Sequence, residues 1–420
     1  VGLAQHTSLG GENIRTHASN SYDVVIVGGG VVGLGIGIGL LRSDPSLKVI
    51  VFESGNELAL HGSGRNSGVL HAGFYYSPDS LKAQLTARGN EMLRRLCHDE
   101  DVAINEVGKV VVTKSHDELQ RLYDLAGRAK ANGVSVELVD EGELRKLEPL
   151  AKTTEAALWS PRTAVADPIE VTRAIARVYG RLGGELKLNS HVEKIVVGGV
   201  QLSGAESTIW CRHVVNAAGL YADHLAHGVG VGKTYKILPF KGLYLYGNER
   251  APQLQRHVYP VPDPLNPFLG VHLTVTVDGR CKIGPTAIPA LSRLNYSKFG
   301  GIRPNELWDV LTTLPKFLTS KHHDGFNLVR SEIPKYSRRI LVNQARQLVP
   351  SAALDQFPSW GKSGIRAQLF NVATKRLEID FVVEQIPGQT HVLNAVSPAW
   401  TSSLSFGEHV AAMVLQSLRV

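Results

Sequence analysis

A chain of 420 residues, 43% hydrophobic and 20% charged, is long enough for a large core and reads as a folded protein of two interleaved domains. No apolar run approaches the roughly 18 residues needed to span a bilayer, so membrane association is expected to be peripheral. A net charge of +7 suits an anionic substrate or an acidic membrane face, whereas no zinc-finger spacing, RNA-binding signature or dense Lys/Arg stripe points to nucleic acid. Cys97, Cys211 and Cys281, odd in number and far apart, read as reduced core thiols of a reducing compartment, with neither a disulfide framework nor a metal site.

Residues 1–21 are polar and poor in acid, which reads as a disordered segment or the remnant of an organelle presequence. Residues 22–53 then run strand, glycine-rich turn, helix, strand, acid. Gly28, Gly30 and Gly33 fit G-x-G-x-x-G after an apolar strand, and Val31 and Val32 open the helix whose N–H groups would face a pyrophosphate. Glu53 ends the second strand about twenty residues on, where a carboxylate accepts hydrogen bonds from ribose hydroxyls. The next loop holds Ser63, Arg65, Asn66, Ser67, Gly68, His71 and Tyr76, a density of small, hydroxylated and cationic residues that suits a phosphate or an isoalloxazine ring.

Residues 80–97 have helical period, with Lys82 in the first turn, where a cation opposes the dipole unless an anion is bound there; a solvated lysine is the plain alternative. A strand over 104–113, an amphipathic helix over 116–131 and a short strand and helix over 135–149 suggest an inserted second domain. Asp167 at N-cap, Pro168 at N1 and Glu170 at N3 spell a capping box for a helix running to about Arg181. Strands over 185–188 and 191–197 follow, and the run 214–219 returns to the nucleotide sheet with Ala218 and Gly219 at the cofactor end.

Lys241, Tyr244 and Tyr246 lie in a strand-like stretch. Two further strands are joined by the turn Asp278-Gly279, with His272 in the first, either a core histidine or a catalyst. Residues 301–349 are helical with scattered aromatics and cations (Trp308, Phe317, Lys316, Lys321, Arg338, Arg339) and are the candidate membrane or partner surface. Near the end, Arg366 precedes a strand over 378–383, and Ser397, Thr401 and Ser402 lead into a last helix to Leu418, again aiming N–H groups at a polar cofactor edge.

Four separated pieces, VVIVGGGVVGLG with Glu53, SGRNSGVLHAGFYY, VVNAAGLYAD, and GIRAQ followed by SPAWTSSLSFGEH, resemble the FAD-dependent oxidoreductases of the D-amino-acid oxidase and glycine oxidase superfamily, and within it most closely the L-2-hydroxyglutarate dehydrogenases. The resemblance implies FAD, and an α/β fold in which a Rossmann-like, glutathione-reductase-type FAD domain (22–103, 163–235, 351–420) is interleaved with a β-sheet-plus-helix substrate domain (104–162, 236–350). It implies that Arg366 and His272 project over the flavin, Arg366 gripping a substrate carboxylate. His272, or second His71, would then be the base for a dianionic 2-hydroxy acid whose hydride passes to flavin N5. Lys82 with Tyr76 is the candidate for the far carboxylate, and Thr401 joins both the substrate and the cofactor sets. His71 stands where some members attach flavin covalently, but the closer resemblance implies non-covalent binding. Electrons would leave to a quinone or flavoprotein, at the mitochondrial inner membrane. An amino-acid or sarcosine-type oxidase, or a flavin-binding redox or interaction protein without its own substrate, are the alternatives.

Overall fold

A computed structural model of the chain describes residues 21–419 apart from Pro264, Leu265, Pro267, Phe299, Lys321, His323 and Val396. The expected presequence remnant (1–20) and Lys321 therefore lie outside the described residues. In chain order, β1 (Tyr22–Val27) turns into α1 (Val31–Ser43), and β2 (Val49–Phe52) returns beside β1. After α2 (Leu81–Asp99) the chain leaves through β3 (Lys109–Val112) and β4 (Ala156–Ser160), then comes back with α3 (Pro168–Arg181), β5 (Glu185–Lys187) and β6 (Thr208–Asn216). It leaves again through β7 (Tyr235–Gly242), β8 (His257–Pro260), β9 (His272–Val275) and β10 (Cys281–Gly284). Three helices follow, α4 (Pro304–Leu318), α5 (Gly325–Glu332) and α6 (Arg338–Arg346), and β11 (Gly364–Asn371), β12 (Gln389–Asn394) and α7 (Ser403–Leu418) close the chain.

The nucleotide sheet is parallel in the order β5-β2-β1-β6-β12. Its central strands β1 and β2 read as nearly continuous apolar runs because both faces are covered. Val24 and Ile26 pack with α1, α2, α3 and α7, while Val25 and Val27 pack with Ile195, Val200 and Leu225 on the other face. The Asp167 cap forms, its carboxylate accepting from the N–H groups of Ile169 and Glu170. The reciprocal half of that box does not: Glu170 pairs instead with Arg173, one turn on, at 2.8 Å. Helices α1 and α7 cross with backbone against backbone, since a Cβ on Gly35 would lie 2.4 Å from the Ser403 carbonyl oxygen.

A second, eight-stranded sheet runs Ser359–Trp360, Leu245–Tyr246, β10, β9, β8, β3, β4, Glu137–Asp140, antiparallel except where β8 meets β3. Residues 351–420 serve both halves: β11 pairs with β7 in a third sheet, whereas β12 and α7 complete the nucleotide unit. The period-2 alternation of the second sheet has a chemical consequence. Val110, Val112, Val258, Leu273, Val275, Cys281 and Ile283 fill a dry core on one face. The alternate positions, Lys109, His257, Tyr259, His272, Thr274 and Lys282, therefore share the opposite face, and it is this face that builds the site.

Candidate active site

The nucleotide end is held by short-range bonds. Gly28 has φ +109°, a conformation that L side chains avoid, and a Cβ there would meet the Ala217 carbonyl oxygen at 2.5 Å. A Cβ on Gly33 would stand 2.1 Å from the Gly28 carbonyl oxygen, so the third glycine lets α1 lie against the turn. Glu53 closes the cradle: Oε2 accepts the Gly29 N–H and Oε1 the Gly55 N–H, each at 2.8 Å. Ser63 Oγ accepts the Val31 N–H at 3.0 Å, at the head of α1. Asn66 holds its own loop, donating to Ser63 O at 2.8 Å and accepting the Gly68 N–H at 2.8 Å. Arg65 has structural partners already, the carbonyls of Leu60 (2.6 Å) and Ser363 (3.3 Å) and the face of Tyr296 at 4.3 Å. Across the turn, Asn216 accepts the Ala218 N–H at 3.2 Å and so fixes the strand end carrying Ala218 and Gly219.

The polar face of the second sheet meets this loop through Lys282, whose ammonium donates to the Ser67 carbonyl at 2.7 Å. On that face His272 stacks on Tyr259 with ring centroids 3.7 Å apart. Its Nδ1 lies 2.7 Å from the Gly270 carbonyl, which can only accept, so Nδ1 carries the proton and the Nε2 lone pair is left for other work. Burial pushes His272 down to about 3, and Lys109, Arg366 and Lys282 add to the effect. His71 is likewise pushed to about 3 by burial, then by Lys109 and His272, and its Nδ1 is buried with no partner. Arg366 comes from β11, with one guanidinium nitrogen on the Thr286 carbonyl at 2.8 Å and the cation 5.6 Å from the Phe268 ring centre.

The last loop reaches the same place. Thr401 Oγ1 accepts the His71 N–H at 3.2 Å and donates to the Val69 carbonyl at 3.2 Å, Ser402 Oγ donates to the Pro398 carbonyl, and Ser397 lies by the Tyr76 phenol, whose pKa burial raises and Ser397 lowers. Lys82 is buried, 5.9 Å from the Tyr76 ring centre and pulled to about 8 by burial, with Asp380 opposing. The anion its position called for is in the protein: Asp380 accepts the N–H groups of Leu81 (2.8 Å) and Lys82 (3.1 Å) at the head of α2. Sequence reasoning passed over Lys109, His257, Tyr259 and Lys282, and singled out Tyr75 only as part of its loop. The signal available for the strand residues was a polar residue at alternate positions of otherwise apolar strands.

A family model described as FAD dependent oxidoreductase matches residues 23–413. The chain belongs to that family. This FAD-dependent oxidoreductase has similar relatives along nearly its whole length. It is 34% identical to the mitochondrial L-2-hydroxyglutarate dehydrogenase of Caenorhabditis elegans, over 95% of this chain and 94% of that one. It is 32% identical to the L-2-hydroxyglutarate dehydrogenase of Escherichia coli K12, over 94% and 93%. Among solved structures, the FAD-bound L-alpha-glycerophosphate oxidase from Mycoplasma pneumoniae shares the fold with a TM-score of 0.75 at 22% identity, over 94% of this chain and 95% of that one.

The residues present fit FAD. The tight Gly28 turn, which packs the glycine loop against Ala217, the head of α1 and the Glu53 carboxylate are the parts an ADP group needs. At the other end, the Trp400 Nε1–H and Ser403 Oγ are buried without partners, polar atoms of the kind that a bound group satisfies.

Proposed function

We propose that the chain oxidises L-2-hydroxyglutarate to 2-oxoglutarate. The observation that carries this reading is the charge of the buried cluster around the three histidines, the chamber. The charged groups acting on His71, His257 and His272 are Lys109, Lys282, Arg366 and one another. Although Asp167 and Asp278 act on Lys282 and Glu332 on Arg366, no carboxylate acts on the rings or on Lys109. Such an enclosure favours a substrate with two negative charges over an amine, and the names of the relatives point to the same compound. FAD, when bound, supplies the acceptor for the hydride leaving Cα. The Arg366 guanidinium grips the C1 carboxylate through its free donors and sets Cα in place. Nε2 of His272 takes the hydroxyl proton, its tautomer fixed by Gly270 and its plane by Tyr259.

Anaerobic mixing with L-2-hydroxyglutarate is expected to bleach the flavin absorbance with one 2-oxoglutarate formed per flavin. Absence of bleaching, or equal bleaching by glycine or sarcosine, would overturn the reading.

By the same reading the electrons pass to a quinone or a flavoprotein at the mitochondrial inner membrane. Support comes from residues 301–349, which hold eight Lys/Arg against four Asp/Glu. Their helices carry Trp308, Leu311, Phe326 and Ile333 at 68%, 52%, 58% and 54% exposure, the mix of cations and apolar side chains that docks on an anionic bilayer. Phe317, grouped with them from sequence, is instead fully buried against Phe240 and Phe370. Among the described residues no helix is long and apolar enough to cross a membrane. Retention on cardiolipin-containing vesicles and faster turnover with a short-chain quinone than with oxygen are expected; activity with oxygen alone would refute the acceptor.

A further inference from the structure

Three polar groups in the chamber have no role in the steps above. Lys109 is fully buried, its ammonium 4.5, 4.3 and 4.7 Å from the ring centres of Phe74, Tyr75 and Tyr259, and it has no hydrogen-bond partner. His257 is its register partner on the neighbouring parallel strand. Nδ1 of His257 accepts the Val275 N–H at 3.1 Å, so the ring proton is on Nε2, and Nε2 is also buried and unpartnered. The Tyr75 hydroxyl is the third such group. All three can donate. An unsatisfied buried donor destabilises a fold, and three buried donors left unpaired, beside the equally unpaired hydroxyls of Tyr259 and Thr274, are groups that a bound anion would satisfy. The two histidines on adjacent strands are also fixed in opposite tautomers: His272 offers a lone pair, His257 a proton.

We propose that Lys109, His257 and Tyr75 form a preformed anion hole for the second carboxylate of the substrate, and that this hole, rather than Lys82 beside its own Asp380, sets the preference for a dicarboxylic 2-hydroxy acid. This rests on the reading of the substrate as a dianion. Electrostatics supports it: burial lowers the Lys109 pKa well below the ordinary value with no carboxylate to oppose it, so a bound anion supplies the missing counter-charge. Met at position 109 would fill the aromatic cage with an uncharged chain of similar length. Asn at position 257 keeps an acceptor near the Val275 N–H and removes the Nε2–H donor.

The test uses the FAD-loaded protein and two readouts. In Lys109→Met and His257→Asn, the ratio of kcat/KM for L-2-hydroxyglutarate to that for a monocarboxylic 2-hydroxy acid of similar size is expected to fall at least about tenfold, as when a site built for a polar group loses its donor. Glutarate, titrated by its perturbation of the flavin spectrum, is expected to bind the parent protein and to lose at least about tenfold in affinity in both variants. Unchanged ratios and unchanged glutarate affinity would overturn the hole, as would a loss of selectivity in Lys82→Met but not in Lys109→Met. Failure of the parent protein to oxidise L-2-hydroxyglutarate would instead sink the substrate assignment, and the glutarate titration still reports on the hole by itself. A Lys109→Met protein that retains FAD and melts no lower than the parent separates loss of the hole from loss of the fold.

Discussion

The two ends of the site are built on opposite terms. At the nucleotide end nearly every polar group has a partner within the protein: Glu53 takes two backbone N–H groups, Ser63 caps α1, and Asn66 bonds twice to its own loop. In the chamber His71, Tyr75, Lys109 and His257 are buried without one. The first is a cradle whose polar side chains are already satisfied by the protein, the second a store of unmet donors that needs charge. Cofactor retention and substrate choice should therefore respond to different substitutions.

The largest effect is expected from Gly28→Ala, whose methyl group would run into the Ala217 carbonyl oxygen. The purified protein should carry almost no flavin, read from its absorbance at the flavin band, and a variant that retains FAD would show that the cradle tolerates side chains. Next comes His272→Ala, with FAD bound but turnover lower by about 100-fold or more, the usual size of an acid–base contribution; near-normal turnover would pass the role to His71. Arg366→Lys keeps the charge but not the two-pronged grip, and is expected to reduce kcat/KM by about 10- to 100-fold while flavin content stays at the parent level. The smallest effect concerns protons. His71 and His272 lie at about 3, and His213 and His391 at about 4, all from burial first. Their folded values are below the ordinary histidine value of about 6.5, so the unfolded chain binds more protons in between. Stability should be constant above that value and fall as pH drops from there toward 3, seen as a decreasing Tm between pH 7 and 5; a flat Tm would mean these rings are less buried in solution.

The same contrast explains what could be read in the sequence. Residues 22–53 form one contiguous strand-turn-helix-strand unit, so its glycines and its acid announce themselves by spacing. The chamber draws Lys109, His257, His272 and Lys282 from four strands, and apart from the hairpin that joins the last two, these become neighbours only through register. Alternation marks each as facing away from the apolar core, yet says nothing about which strand lies next door. His272 and Arg366 came into view through family resemblance, and Lys109 and His257, outside the motifs that carried it, did not. Lys82 attracted attention because helix dipoles are local physics, and the partner that answers it, Asp380, is about 300 residues away.

The crossing of α1 and α7 sets an order of events for the newly made chain. A Cβ on Gly407 would sit 2.3 Å from the Gly35 carbonyl carbon, so the helix that follows the glycine fingerprint is completed by the backbone of residues 403–418. In a chain made N-terminus first, the cofactor-binding turn and α1 are synthesised long before α7 (Ser403–Leu418), the other half of the seam. Contacts of such long sequence separation form late. Flavin capture is thus expected only once residues 403–418 have been made, and a chain stopped before residue 403 should be made, remain without cofactor and be cleared.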